Sequence, residues 1–200
     1  MNTFDKMREE FFINWVTVII GWNNYFHQPP LISFDEIKEF AFKRLESLDC
    51  SPFEEETIIK LLSLNETDRE TISVLLNSLI PQSNATTSIE ERKWRVIRLD
   101  EMLNSIPVNP IDGLIALTDF WASYDYPSDS PHIVQGKDNE ISPVDYYKES
   151  FFQKMLLAHR KWICKEKQEI HNINCCTLCP CPESLPGAKT TELKPENGRL

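Results

Sequence analysis

Five places in this chain announce the start of a helix. Ser33-Phe-Asp-Glu36, Ser51-Pro52-Phe53-Glu54, Ser88-Ile-Glu-Glu91, Asn109-Pro110 and Ser142-Pro143-Val-Asp145 each put a capping side chain before an apolar run. In the first three, a glutamate three residues on can reach back to the cap and complete a capping box. In three of the five, proline takes the first helical position, where its missing N–H costs nothing. The stops are as plain: Pro29-Pro30, Pro81 and Pro107 cannot continue a helical ladder.

The segments between these marks repeat with the helical period. Phe4, Met7 and Phe11 form one stripe, and a second apolar segment runs from Trp15 to about Phe26, where Asn14 can cap. Phe34, Ile37, Ala41, Leu45 and Leu48 share a face, as do Ile72, Leu75, Leu76, Leu79 and Ile80 in a helix expected over Asn65–Ile80. Trp94, Val96, Ile97, Leu99 and Leu103 face inward next, then Ile111, Leu114, Ile115, Leu117 and Trp121. Phe152, Met155, Leu156, His159 and Ile163 make the last stripe, in a helix expected over 150–170. No strand alternation and no internal repeat appear. The expected fold is all-α, a compact array of seven to nine helices with one long loop near 124–141. Residues 1–170 read as a single domain. Residues 171–200, rich in cysteine and proline and without periodicity, read as a disordered tail.

Most of the eye-catching residues have structural readings. Trp15, Trp94, Trp121 and Trp162 sit at core-facing positions, whereas Trp22 is less clear. His159, on an apolar stripe, reads as a packed core histidine. The acidic triplet Glu54-Glu55-Glu56 falls in the first turn of its helix, where the dipole favours anions.

The formal net charge is −10, which speaks against nucleic acid and anionic membrane surfaces and for a basic partner. The charge is uneven. Asp100 to Tyr147 holds nine acids and one base, and Lys148 to Lys167 holds six bases and two acids. Acids of this kind can serve simply as caps and solubilising groups, or they can steer a basic partner. The N-terminus has no apolar signal core, and the longest apolar run, Trp15 to Trp22, is far short of a membrane span. The expected compartment is the cytoplasm, where the six cysteines are thiols and the Asn-x-Thr sequons at Asn65 and Asn84 carry no meaning.

The densest local pattern is Trp121 to Gly136, Trp-Ala-Ser-Tyr-Asp-Tyr-Pro-Ser-Asp-Ser-Pro-His-Ile-Val-Gln-Gly. Asp125, Asp129, His132 and Gln135, with Asp119 just before them, form the candidate partner-binding cluster. Trp121 and Tyr126 are the expected loop anchors. A long loop of this kind can be a binding or acid–base patch. It can equally be a packed loop in which Asp129 and Ser130 make local turns, Tyr126 and Ile133 plug into the helices, and Gly136 supplies a positive φ. Cys175, Cys176, Cys179 and Cys181 include a Cys-x-x-Cys metal-knuckle spacing. Four thiols within seven residues, however, do not give the two separated pairs that structural zinc usually takes. No Gly-x-Ser-x-Gly elbow, glycine-rich phosphate loop, His-Glu-x-x-His or EF-hand loop occurs, so no catalytic residue, metal or cofactor is expected.

Several motifs together look like one family: Lys93-Trp94-Arg95, Pro110-Ile-Asp-Gly113-Leu114, Phe120-Trp121, Tyr126-Pro127-x-Asp129-Ser130-Pro131-His132-Ile-Val-Gln135-Gly136, Asn139, Pro143-x-x-Tyr146-Tyr147 and Trp162. Over roughly residues 13–168 the chain resembles the bacterial domain of unknown function 2247. The resemblance implies a small bacterial protein and suggests a place among immunity proteins of toxin systems. It carries over no catalytic residues and does not reach the cysteine-rich tail. The expectation is a non-enzymatic immunity-type protein that binds and neutralises a basic toxin through an acidic face. The alternatives are a hydrolase using Asp129 and His132 as acid–base partners, or a general protein-interaction module.

Overall fold

The computed structural model describes residues 2–23, 30–82 and 86–178. Among these residues there are nine α-helices and no strand: α1 Thr3–Glu10, α2 Trp15–Asn23, α3 Phe34–Leu45, α4 Pro52–Leu62, α5 Arg69–Leu79, α6 Thr87–Asn104, α7 Pro110–Ala122, α8 Pro143–Tyr146 and α9 Glu149–Leu178. A 3-10 turn, Ile80–Gln82, extends α5. The all-α expectation holds, and α7 and α8 flank the long loop.

The caps read from sequence form as local chemistry dictates. The side chains of Ser33, Ser51, Asn109 and Ser142 accept backbone N–H groups of their helices, and Ser33 with Glu36 closes a full capping box. Asn14 caps α2 by accepting the amides of Val16 and Thr17. The cap expected at Ser88 does not form. Thr86 takes the N-cap position instead, and the following turn swings Glu90 into the core.

Helix α6 is the spine. It packs against α1 and α2 on one side and α9 on the other, while α9 also receives α7 and α8. Helices α3, α4 and α5 form a second tier that joins through α2. Trp15, Trp22, Trp94, Trp121 and Trp162 are all buried. The Trp22 indole donates to Ser73 at 3.0 Å and the Trp94 indole to the Thr17 carbonyl at 2.9 Å, so each buried N–H has an acceptor.

Two charged clusters lie inside this core. Glu90 and Lys93 are 2% and 1% exposed. Lys93 donates to Glu90 at 2.7 Å and to the Phe12 carbonyl at 2.8 Å. Glu90 also accepts from Asn14 (2.9 Å) and Thr17 (2.5 Å), so the network pins the α1–α2 elbow to α6. Glu54, read from sequence as a dipole-favoured first-turn acid that reaches back to the Ser51 cap, is instead 3% exposed and turned inward. It accepts from the Trp15 indole at 2.6 Å and from both Nε and NH2 of Arg44. That guanidinium holds the Glu54 carboxyl below its usual range against the upward pull of burial.

Other boundaries differ from the sequence reading. Helix α5 starts at Arg69 because Asp68 folds back onto the Asn65 amide in a turn. Leu48 lies past the end of α3 and is fully exposed. Ile111 and Ile115 are exposed because the inner face of α7 is set by Gly113, where an added Cβ would stand 2.5 Å from the Phe152 ring. Two residues either way is about half a turn around the helix. Helix α9 runs past the expected end at Ile170 to Leu178, since residues 171–178 contain neither glycine nor proline. The expectation of disorder for the remainder, 179–200, lies outside the described residues. No helix among the described residues is long and apolar enough to cross a membrane, and Cys50 and Cys164 are free thiols.

Candidate functional site

The loop begins where α7 ends. The Tyr126 amide donates to the Trp121 carbonyl and the Asp125 amide to the Ala122 carbonyl, both at 3.0 Å, a Schellman-type ending. Asp125 occupies the left-handed position at φ 56°, followed by Tyr126 at φ 46°. Glycine is the usual resident there. Further on, Gly136 has φ 73°, the positive value expected of it.

Below the loop lies a chain of aromatic and imidazole rings. Trp121 is fully buried, edge-on to Trp162 with centroids 5.2 Å apart. Its indole N–H donates to His159 Nε2 at 2.8 Å. His159 Nδ1 lies 2.6 Å from the Met155 carbonyl, so Nδ1 carries the proton and Nε2 the lone pair. His159 is thus a satisfied core histidine.

His132 drops from the loop onto this layer, its ring 5.5 Å from His159. Its Nε2 is 2.9 Å from Thr118 Oγ1, which donates its own proton to the Leu114 carbonyl. The His132 proton therefore sits on Nε2, and Nδ1 is buried with no hydrogen-bond partner. Burial, with His159 as a smaller contributor, pushes the His132 pKa down to about 3. Burial also lowers His159, against the opposing pull of the Met155 carbonyl.

Both imidazoles are consequently neutral in the fold, whereas in the unfolded chain each titrates near ~6.5. Below that pH the unfolded chain takes up protons that the folded one refuses. The full contribution is present above pH ~6.5 and is lost as pH falls, for His132 down to about 3. Unfolding free energy should drop by about 2 kcal/mol between pH 7 and pH 5 on account of His132 alone. Urea denaturation of the parent and His132→Gln at the two pH values checks this. An equal pH dependence in both proteins would refute it.

The rest of the loop is closed by local bonds. Tyr126 Oη donates to the Thr118 carbonyl at 3.3 Å, and Tyr146 Oη donates to the Ile133 carbonyl at 2.9 Å. Gln135 donates to the Ile141 carbonyl and Asn139 to the Val134 carbonyl. Within this frame, Tyr126, Ser130, His132, Lys137 and Asn139 line a cleft of about 370 Å³.

The five candidate residues do not converge. Asp119 and Asp125 are exposed, at the last turn of α7 and in its terminal cap. Asp129 meets Arg95 of α6 at 3.1 Å. His132 points down to Thr118, and Gln135 serves the loop itself. Asp129 and His132 are engaged by different partners, and no hydrogen bond joins them. Among the described residues no cluster of His, Cys, Asp and Glu could hold a metal ion. Of the cysteine quartet, Cys179 and Cys181 lie outside the described residues, as do the side chains of Cys175 and Cys176.

Comparison with known families bears on this loop directly. A family model described as an uncharacterized protein conserved in bacteria, DUF2247, matches residues 4–167. The chain belongs to this family. No curated protein and no solved structure matches it. The DUF2247 match covers every helix from α1 through most of α9, and with them the entire loop and its supports.

Sequence reasoning overlooked Arg95, Thr118 and Arg98. Arg95 lies over the rings of Trp162 and Trp121, 5.3 and 6.0 Å from their centroids. Arg98 donates to Tyr124 Oη at 3.0 Å. The Lys93-Trp94-Arg95 motif was the available signal for Arg95. Nothing local marks Thr118, whose role depends on a residue fourteen positions away.

Proposed function

We propose that this DUF2247 protein is a cytoplasmic, non-enzymatic, immunity-type protein that binds a basic partner toxin through the acids at the C-terminal end of α7. What supports the reading is the placement of Asp119 and Asp125. Both are exposed at the negative end of a helix dipole that has no basic residue in its last turn. Asp125 in addition holds a left-handed backbone that glycine would adopt at lower cost. Stability therefore favours neither acid where it stands. A surface retained against stability is what a binding site would leave. The loop beneath is closed by the Trp121, Tyr126 and Tyr146 bonds, so these acids are presented on a rigid frame, which lowers the ordering cost of association.

The test is a pair of substitutions whose effects on stability and binding have opposite signs. Asp125→Gly should raise unfolding free energy by about 0.5–1 kcal/mol, and Asp119→Lys by about 0.3–1 kcal/mol. Both should weaken salt-sensitive binding to a toxin encoded beside this gene and reduce growth rescue on co-expression. If both variants are stabilised yet bind and rescue as the parent does, the α7 end is not the interface.

A further inference from the structure

A second cleft, of about 430 Å³, opens between α6, α9 and the loop, lined by Arg92, Arg95, Asp129, Trp162, Glu166 and Glu169 among others. Its two arginines are used differently. Arg92 presents its Nε and NH2 edge to both oxygens of Glu166, at 2.6 and 2.9 Å, a filled fork. Arg95 has the same edge half filled. Its NH2 takes Asp129 Oδ2 at 3.1 Å and stands 3.7 Å from Glu166, while its Nε is buried with no hydrogen-bond partner.

The Arg95 side chain is only 12% exposed, held by Trp121 and Trp162, so its position is set before any ligand arrives. Asp129, by contrast, is 46% exposed and reaches Arg95 from the loop. An ion pair with one partner in solvent contributes little to stability. Glu166 stands 3.7 Å from the Arg95 NH2, beyond hydrogen-bond reach, and its two-point fork with Arg92 holds it there. A buried guanidinium N–H without an acceptor is a standing cost that only an incoming oxygen removes.

We infer that Arg95 is a docking point for a carboxylate of a partner protein, with Asp129 acting as a weak internal competitor that the incoming carboxylate displaces. The incoming group fills the Nε and NH2 fork that Asp129 fills by half, and Ser128–Asp129 lifts to admit it. The site asks for chemistry opposite to that of the acids at the end of α7. It goes beyond the toxin-binding reading and stands or falls separately from it.

The experiment titrates the full chain with an acetylated tetraglutamate peptide and, separately, with inorganic phosphate, following tryptophan fluorescence, because Trp121 and Trp162 flank Arg95. The peptide should bind in the parent, about tenfold more tightly in Asp129→Asn, and not detectably in Arg95→Lys, which keeps the charge and loses the fork. Asp129→Asn changes an exposed loop residue, so its result stands even if Arg95→Lys fails to fold. Unchanged or weaker peptide binding in Asp129→Asn overturns the proposal. So does phosphate binding as tightly as the peptide, which would make the cleft a general anion site, and so does an absence of peptide binding to all three proteins.

Discussion

Replacing Lys93 with methionine should lower the unfolding free energy by about 3–5 kcal/mol, the effect of stranding a buried carboxylate without its cation. Glu90 would keep its bonds from Asn14 and Thr17. It would lose the cation that offsets its removal from water, and the Phe12 carbonyl would lose the Lys93 donor. Methionine fills a volume close to that of lysine, so the result reports charge rather than a cavity. In a chain of this length the midpoint of thermal unfolding should fall by roughly 2–4 °C per kcal/mol. The double variant Lys93→Met with Glu90→Leu should recover only part of the loss, because it removes the stranded carboxylate but leaves the Asn14 and Thr17 donors and the Phe12 carbonyl without these partners. Urea denaturation of the two single variants and the double closes the cycle. A single-variant loss under about 1 kcal/mol would show that the network does not hold the elbow.

Trp121→Ala is expected to cost about 3–5 kcal/mol as well, by a different route. It empties the space between Trp162, Phe120 and His159, and takes away one of the two rings beneath Arg95. It also leaves His159 Nε2 as a buried acceptor with nothing to accept. Trp121→Phe separates these contributions. It retains most of the ring and loses the indole N–H, so about 1–3 kcal/mol should go. Backbone amide exchange adds a local readout. The Asp125 and Tyr126 amides bond to main-chain carbonyls and not to the indole. Fast exchange there in Trp121→Ala would show that the ring, rather than the α7 ending alone, keeps the loop in place. Protection equal to the parent would place the loop's stability elsewhere.

The parts legible in the sequence were those governed by neighbours in the chain. Ser33, Ser51, Asn109 and Ser142 cap because each bonds an amide two or three residues away, and Gly136 takes a positive φ for its own local reason. The burial of Trp15, Trp94, Trp121 and Trp162 followed from their core-facing positions, whereas that of Trp22, left open by the sequence, came only with the fold. What escaped were residues whose environment is supplied from far along the chain. Glu54, Glu90 and Lys93 look like surface charges until Trp15, Arg44, Asn14 and Phe12 arrive beside them. Ile111 and Ile115 fit a helical stripe, but the packed face of α7 is chosen by Gly113 against Phe152. In the loop, the pattern picked out His132 and Asp129 but not what holds each of them. Thr118 and Arg95 answer that only once α6, α7 and the loop are folded together.

The position of α6 also imposes a schedule. Trp94 bonds to the Thr17 carbonyl across 77 residues of chain. Helices α1 and α2, whose buried faces are almost wholly apolar, must wait for that stretch to be translated. At typical synthesis rates the wait is on the order of 4–15 s. During it, one flank of α2 can be covered by α5, but the flank meant for α6 stays open. The second side of α6 then waits in turn for α9. A nascent chain stalled anywhere before residue 87 would leave the flank of α2 at Thr17 and Gly21, and Phe4 of α1, without the Trp94 ring that covers them, a surface suited to chaperone capture. Ribosome-bound fragments ending before and after α6 should differ in chaperone binding for this reason.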